Sequence, residues 1–193
     1  VKKIFDDGGV LFAHGFESLR KNYHVREFEN DFKKYIRAKY CLAVSSGTAA
    51  IKIGLKSLGV KPGDEVITQT FNFIATVEAI VDIGAVPIIV NIDKSLNIDI
   101  EDLKKKISKK TKVVIPVHML GYPCEMKKLI KICKQKKIKI LEDNCESLGG
   151  KFEKKLLGNC ADIGVISFDF GKTITTGEGG MIITNNKKIY NYC

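Results

Sequence analysis

Apolar positions along this chain change spacing again and again. Over residues 26–39 they recur as Phe28, Phe32, Tyr35 and Ile36, the spacing of one helix face, and the short apolar run 41–44 that follows reads as a strand. The same alternation continues downstream. It predicts helices over 48–58, 76–83, 100–107 and 125–136, strands at 66–68, 86–90, 113–117 and 138–141, and two further strands at 163–168 and 181–184. A "VKPGDE" turn separates the first two of these units. Strands alternating with helices specify an α/β fold, a mostly parallel sheet covered on both faces in a three-layer α/β/α arrangement. No linker, low-complexity tract or internal repeat breaks the pattern, so one domain accounts for the chain. It opens on Val1 and closes as "NKKIYNYC" begins another helix, so the expectation is that residues 1–193 are the N-terminal part of a longer protein.

Composition narrows the class. With 193 residues, 45% of them hydrophobic, the chain can bury the core of one large domain. Its longest apolar runs, 86–90 and 163–168, fall far short of the ~20 residues of a membrane span. No charged-then-apolar leader opens the sequence, and a cytoplasmic location is expected. The formal charge of +10 comes almost wholly from lysine, since Arg20, Arg26 and Arg37 are the only arginines. These lysines lie on polar helix faces such as 104–106 and 134–137, without the arginines and interleaved aromatics of a nucleic-acid reader. The charge therefore reads as solvated surface that also favours an anionic substrate. The six cysteines Cys41, Cys124, Cys133, Cys145, Cys160 and Cys193 include no C-x-x-C pair and no histidine at zinc-finger spacing, so neither a disulfide framework nor a metal site is expected. Cys145 stands beside an acidic pair, but with no histidine near it in sequence it reads as a small buried residue.

Ligands of open α/β sheets sit beyond the carboxyl ends of the strands. Four such ends carry chemistry-bearing residues. In "AVSSGTAAIKIGL" a strand runs through Ser46, Gly47 and Thr48 directly into a helix, a cradle for a phosphate, although an ordinary N-cap explains the same residues. In "KILEDNCESLGG" a strand ends on Glu142 and Asp143, with Glu146 following; adjacent carboxylates there call for a cation, a metal or a protonated ring nitrogen, unless one caps the next helix. In "TQTFNFIATVEAI" Phe71 and Phe73 follow a strand, and core packing is the first reading, with stacking on a planar ligand the second. In "SFDFGKTITTGEGGMIIT" Lys172 sits between a strand end and the glycine-rich turn 177–180. A lone loop lysine is ordinarily surface. Taken together, however, a phosphate cradle, a strand-end carboxylate, an aromatic platform and a loop lysine meet the needs of pyridoxal 5'-phosphate: an amine for its aldehyde, an anion for its ring nitrogen and N–H groups for its phosphate. No G-x-G-x-x-G opens the first helix, so a dinucleotide site explains less.

The runs "SSGTAAIKIGLKSLGVKPGDEVITQTFNFIATVEAI", "IPVHMLGYPCEMKKL", "EDNCESLGG" and "SFDFGKTITTGEGGMIIT" resemble the DegT family of sugar aminotransferases, among the fold-type I pyridoxal-phosphate enzymes, from about Phe28 onward. The resemblance implies that Lys172 carries the cofactor and that Asp143 faces its pyridine nitrogen. Glu146 falls near the phenolic oxygen, Ser167 reaches the phosphate, Gly47 and Thr48 form the phosphate turn, and Phe73 stacks on the ring. His118, in "VHMLG", matches a position near the active site, where a satisfied packing histidine is an equal reading. Family members are about twice as long, with a C-terminal small domain and a second subunit completing each site. The implied protein is thus a homodimeric aminotransferase moving an amino group, from glutamate, onto a keto-sugar in surface-polysaccharide or related sugar biosynthesis. The stretches "GGVLFAHGFESLRKNYHVREFE" and "SFDFGKT" lean toward keto-octulosonate-type substrates. The family's sugar dehydratases carry histidine where Lys172 stands, which argues against that reaction; a binding protein without turnover is the rival from another class.

Overall fold

The computed structural model describes Lys2 and residues 23–193, so most of the "GGVLFAHGFESLRKNYHVREFE" stretch lies outside the described residues. The elements follow the predicted alternation: α1 (His24–Ile36), β1 (Tyr40–Val44), α2 (Gly47–Ser57), β2 (Glu65–Gln69), α3 (Ile74–Asp82), β3 (Val86–Val90), α4 (Ile100–Lys106), β4 (Thr111–Ile115) and α5 (Met126–Lys136). They continue with β5 (Lys139–Asp143), β6 (Lys151–Phe152), β7 (Lys155–Leu156), β8 (Ile163–Ser167), β9 (Gly180–Thr184) and α6 (Lys187–Tyr192). Among the described residues seven strands form one sheet in the order β1-β9-β8-β5-β4-β2-β3, in which β9 alone runs against the rest. The predicted three-layer α/β/α fold is what the chain adopts.

Alternation along the strands sorts side chains onto two faces. On one, Leu141 and Val165 pack with Ala50, Ile51 and Leu55 of α2 and Ala79 and Ile80 of α3. On the other, Ile67, Val114 and Ile140 meet Leu103 of α4 and Leu129 and Cys133 of α5. Near the β1 end, Phe32 and Ile36 of α1 close over Ile166, Phe168 and Met181, with Phe168 edge-on to both Phe28 and Phe32. Each such fully buried side chain contributes about 2 kcal/mol relative to exposure.

Two departures from the predicted pattern have physical causes. The fourth strand stops at Ile115 rather than 117, because Pro116 has no N–H to continue the ladder; its carbonyl instead accepts the N–H of Asp143 at 2.9 Å, and Val117 keeps a single bridge to Asp143. The hairpin β6–β7 is absent from the prediction, since two-residue strands in the polar run "KFEKKL" carry no readable period.

Candidate active site

The carboxyl end of β5 separates two acidic neighbours. Asp143 lies on the α2/α3 face, 4% exposed. Its Oδ2 accepts the Thr76 hydroxyl at 3.0 Å and its Oδ1 accepts the Cys145 N–H at 3.1 Å. Glu142 points to the opposite face and is fully buried. There it accepts N–H bonds from Gly158 at 2.9 Å and Cys160 at 2.6 Å, and its Oε2 is 3.2 Å from His118 Nε2. The Cys124 N–H donates to His118 Nδ1 at 3.1 Å, which leaves the ring proton on Nε2 to donate to Glu142. Gly164 makes room for this arrangement, since a Cβ there would lie 1.9 Å from the Gly158 carbonyl oxygen. His118 is thus a satisfied packing histidine on the Glu142 side, the second of the two readings of that residue.

The first turn of α2 lies alongside the same strand end. Ser46 caps the helix, its hydroxyl accepting the Ala49 N–H at 3.1 Å. The N–H groups of Gly47 and Thr48, first and second in the helix, have no acceptor within it by the geometry of any helix start. They face an end of the helix that favours anions. Gly47 is buried so tightly that an added Cβ would lie 2.9 Å from Ser167 Cβ and 3.3 Å from both Ser167 Oγ and Cys145 Sγ. The cap reading and the cradle reading therefore hold together, and Gly47, Ser167 and Cys145 share one wall.

Lys172 reaches this wall from a loop closed on itself. Phe168 donates its N–H to the Gly179 carbonyl at 2.9 Å and accepts at its own carbonyl from Thr176 at 3.1 Å, while Lys172 N–H bonds the Asp169 carbonyl at 3.0 Å. Anchored by buried Phe168, the loop turns Lys172 inward, and its ammonium pairs with Glu146 Oε1. Burial pulls the Lys172 pKa down; the Glu146 hydrogen bond and charge, helped by Cys145 and Asp143, more than offset it, so the net shift is upward from 10.5. Burial and then the Asp143 charge push the Cys145 thiol well above its ordinary value. Cys145 thus lies beside Gly47, half-buried rather than buried as expected, with a thiol held protonated.

Gly47 and Ser167 pack together and Lys172 pairs with Glu146 close to Asp143, while the aromatics differ in environment from the first reading. Phe71 and Phe73 are not core: they are 45% and 70% exposed, Phe73 in the N-cap position of α3. Sequence reasoning missed Thr76. A hydroxyl among Ala75, Ala79 and Ile80 on the buried face of α3 was the available signal, since a buried hydroxyl there needs a partner. Among the described residues no cluster of potential metal ligands occurs, and no helix is long and apolar enough to cross a membrane.

Residues 15–193 match the DegT/DnrJ/EryC1/StrS aminotransferase family, and the chain belongs to that family. It is 40% identical over 174 residues to a GDP-perosamine synthase of Escherichia coli O157:H7, a match covering 90% of this chain and 48% of that protein. Among solved structures, an aminotransferase from Psychrobacter cryohalolentis superposes with a TM-score of 0.86 at 32% identity, over 89% of this chain and 44% of the other. A GDP-4-keto-6-deoxymannose-3-dehydratase holding a trapped PLP-glutamate geminal diamine superposes with a TM-score of 0.83 at 35% identity, over 88% and 46% of the two chains. The chain spans about half the length of the curated relatives it matches.

Proposed function

We propose that this chain is the cofactor-binding large domain of a longer, homodimeric pyridoxal-phosphate aminotransferase that moves an amino group from glutamate onto a keto-sugar. The observation that carries the reading is the meeting, at one strand end, of a buried carboxylate, a helix N-terminus behind Gly47 and an inward-turned lysine. The residues fit the cofactor: a buried carboxylate with acceptor capacity left over suits a protonated ring nitrogen, and the N–H groups at the start of α2, packed beside Ser167, suit a phosphate.

When bound, the cofactor supplies an aldehyde and an electron-accepting ring that stabilises negative charge on the carbon losing its proton. The chain's residues divide the remaining work. Asp143 would hold the proton on the ring nitrogen, the N–H groups of Gly47 and Thr48 with the Ser167 hydroxyl would hold the phosphate, and Phe73 would cover the ring. Lys172 would hold the cofactor through its amine at rest and, once freed, would carry a proton from and to the substrate carbon. Glu146 would stand beside the ring's phenolic oxygen. Exposed Phe73, Leu120, Tyr122 and Phe170 between the strands and the elements that follow, with Ile74 at the start of α3, support a second subunit covering this end.

The relatives named for GDP-perosamine and GDP-4-keto-6-deoxymannose favour a nucleotide-linked keto-hexose over the keto-octulosonate type. The dehydratase reading wants histidine where this chain has Lys172. Borohydride reduction of the full-length protein with its cofactor, followed by peptide mass spectrometry, tests the assignment. The expected result is one cofactor fixed on Lys172 and none in Lys172→Ala; a linkage that survives the substitution overturns it. Glutamate offered with a panel of keto-sugars, with products read by mass, tests the reaction.

A further inference from the structure

The contact between Thr76 and Asp143 is one end of a buried chain that reaches the neighbouring strands. Asn72 Nδ2 donates to Thr68 Oγ1 at 3.2 Å, and Thr68 passes its own proton to the Ile115 carbonyl at 3.1 Å. Thr68 is fully buried on β2, so its proton is committed to the β4 backbone. That commitment orients the Asn72 amide: its nitrogen must face Thr68, and its Oδ1 therefore faces Thr76, at 3.2 Å. Thr76, 1% exposed, thus has two acceptors within reach, Asn72 Oδ1 and Asp143 Oδ2 at 3.0 Å, and only one proton to give. A carboxylate is the stronger acceptor and is also the nearer.

We propose that Thr76 is a positioning residue for Asp143, and that its hydroxyl proton, contested by Asn72, sets how firmly Asp143 holds the cofactor's ring nitrogen. The proposal rests on the reading of Asp143 given above and adds a residue of α3 and one of the loop before it to the site. With the proton on Asp143, the carboxylate is pinned at both oxygens, by Thr76 and by the Cys145 N–H, and the lone pairs that remain are left for the ring nitrogen. Asn72 weakens that hold by offering the hydroxyl a second place to go. The other titratable groups acting here are Lys172, Glu146 and Cys145; on the packed helices, Glu78 is exposed and Lys52 of α2 pairs with Asp82 at the end of α3.

The two residues predict shifts of opposite sign. In the full-length protein, Thr76→Val removes the hydroxyl and keeps the shape. It should weaken cofactor binding about tenfold or more, the value of a hydrogen bond to a charged group. The pH at which the bound cofactor's ring nitrogen loses its proton, followed by nitrogen-15 NMR, should fall by about one unit, and kcat should drop with little change in the keto-sugar KM. Thr76→Ser, which keeps the hydroxyl, should restore all three. Asn72→Ala, at a half-buried loop position, leaves the proton to Asp143 and should move the titration upward and leave binding equal or tighter. Wild-type affinity and titration in Thr76→Val overturn the proposal, as does Thr76→Ser behaving like Thr76→Val, which assigns the effect to packing. Should Thr76→Val not fold, a downward shift in Asn72→Ala overturns it on its own. Wild-type protein that binds no cofactor overturns the reading of the site itself, and the proposal with it.

Discussion

Glu142 and Asp143 are the same kind of group, one residue apart on one strand, and the fold puts them to opposite uses. Glu142 is closed: three donors converge on it from His118, Gly158 and Cys160, all within the protein. Asp143 is open: two donors pin it, Thr76 and the Cys145 N–H, and the lysine nearest it is engaged by a third carboxylate, Glu146. Both are buried, so burial does not distinguish them. The distinction lies in whether acceptor capacity has been used up. A carboxylate saturated from inside the fold is a structural joint, and one left with capacity beside a helix N-terminus and a lysine is a place for a ligand.

The largest effect that tests this contrast is on turnover. In the full-length protein Asp143→Asn keeps the shape and both local donors' surroundings but removes the charge proposed to face the ring nitrogen. The protein should fold and bind cofactor, and its transamination rate should fall by about 10²-fold or more, measured with saturating substrates. A variant as active as wild type would erase the difference between the two carboxylates.

Glu142→Ala should show the reverse profile. Three buried donors lose their acceptor together, so unfolding in urea should come about 3 kcal/mol earlier with an unchanged slope. Glu142→Gln should lose less, because the amide oxygen still accepts while its NH₂ meets a donor. If Glu142→Ala were as stable as wild type and merely inactive, Glu142 would belong to the site after all.

How much of this contrast the sequence carried depends on which forces set it. The α/β alternation was legible because each helix and strand has a strong period, down to Val86–Val90, which the structure reproduces residue for residue. The nearness of Asp143, Ser167, Gly47 and the Lys172 loop to strand ends was legible, and strand ends are where such sheets bind ligands. The division of labour within "ED" was not, since it depends on Gly158 and Cys160 arriving from a loop whose short hairpin has no period to read. Phe73 misled for a related reason: an aromatic beside an apolar strand looks like core until the helix start places it at the surface. Thr76 was hidden by the apolar stripe around it.

The smallest expected effect concerns the third carboxylate. Glu146 is exposed and has no share in the packed core, so its removal should disturb the fold far less than that of Glu142. Its effect should appear in the charge of Lys172. Burial alone draws that amine's pKa down, and the Glu146 contact more than reverses the pull. In Glu146→Gln the charge is gone while the burial remains, so the amine should lose its proton at lower pH. Only the neutral amine can bond an aldehyde, so the rate of cofactor capture by Lys172, followed by absorbance from pH 6 to 9, should rise at lower pH than in wild type. Stability moves with the same sign. A lysine raised in the folded state stabilises fully below its ordinary value of 10.5 and loses that stabilisation as pH climbs through the raised one, so the wild-type advantage over Glu146→Gln should be present at neutral pH and fade above about 10.5. Because the pair is partly solvated, the advantage should be small. Coincident capture profiles would mean that Glu146 does not govern Lys172, and the lysine's readiness would then have to be set by Asp143 and Cys145 alone.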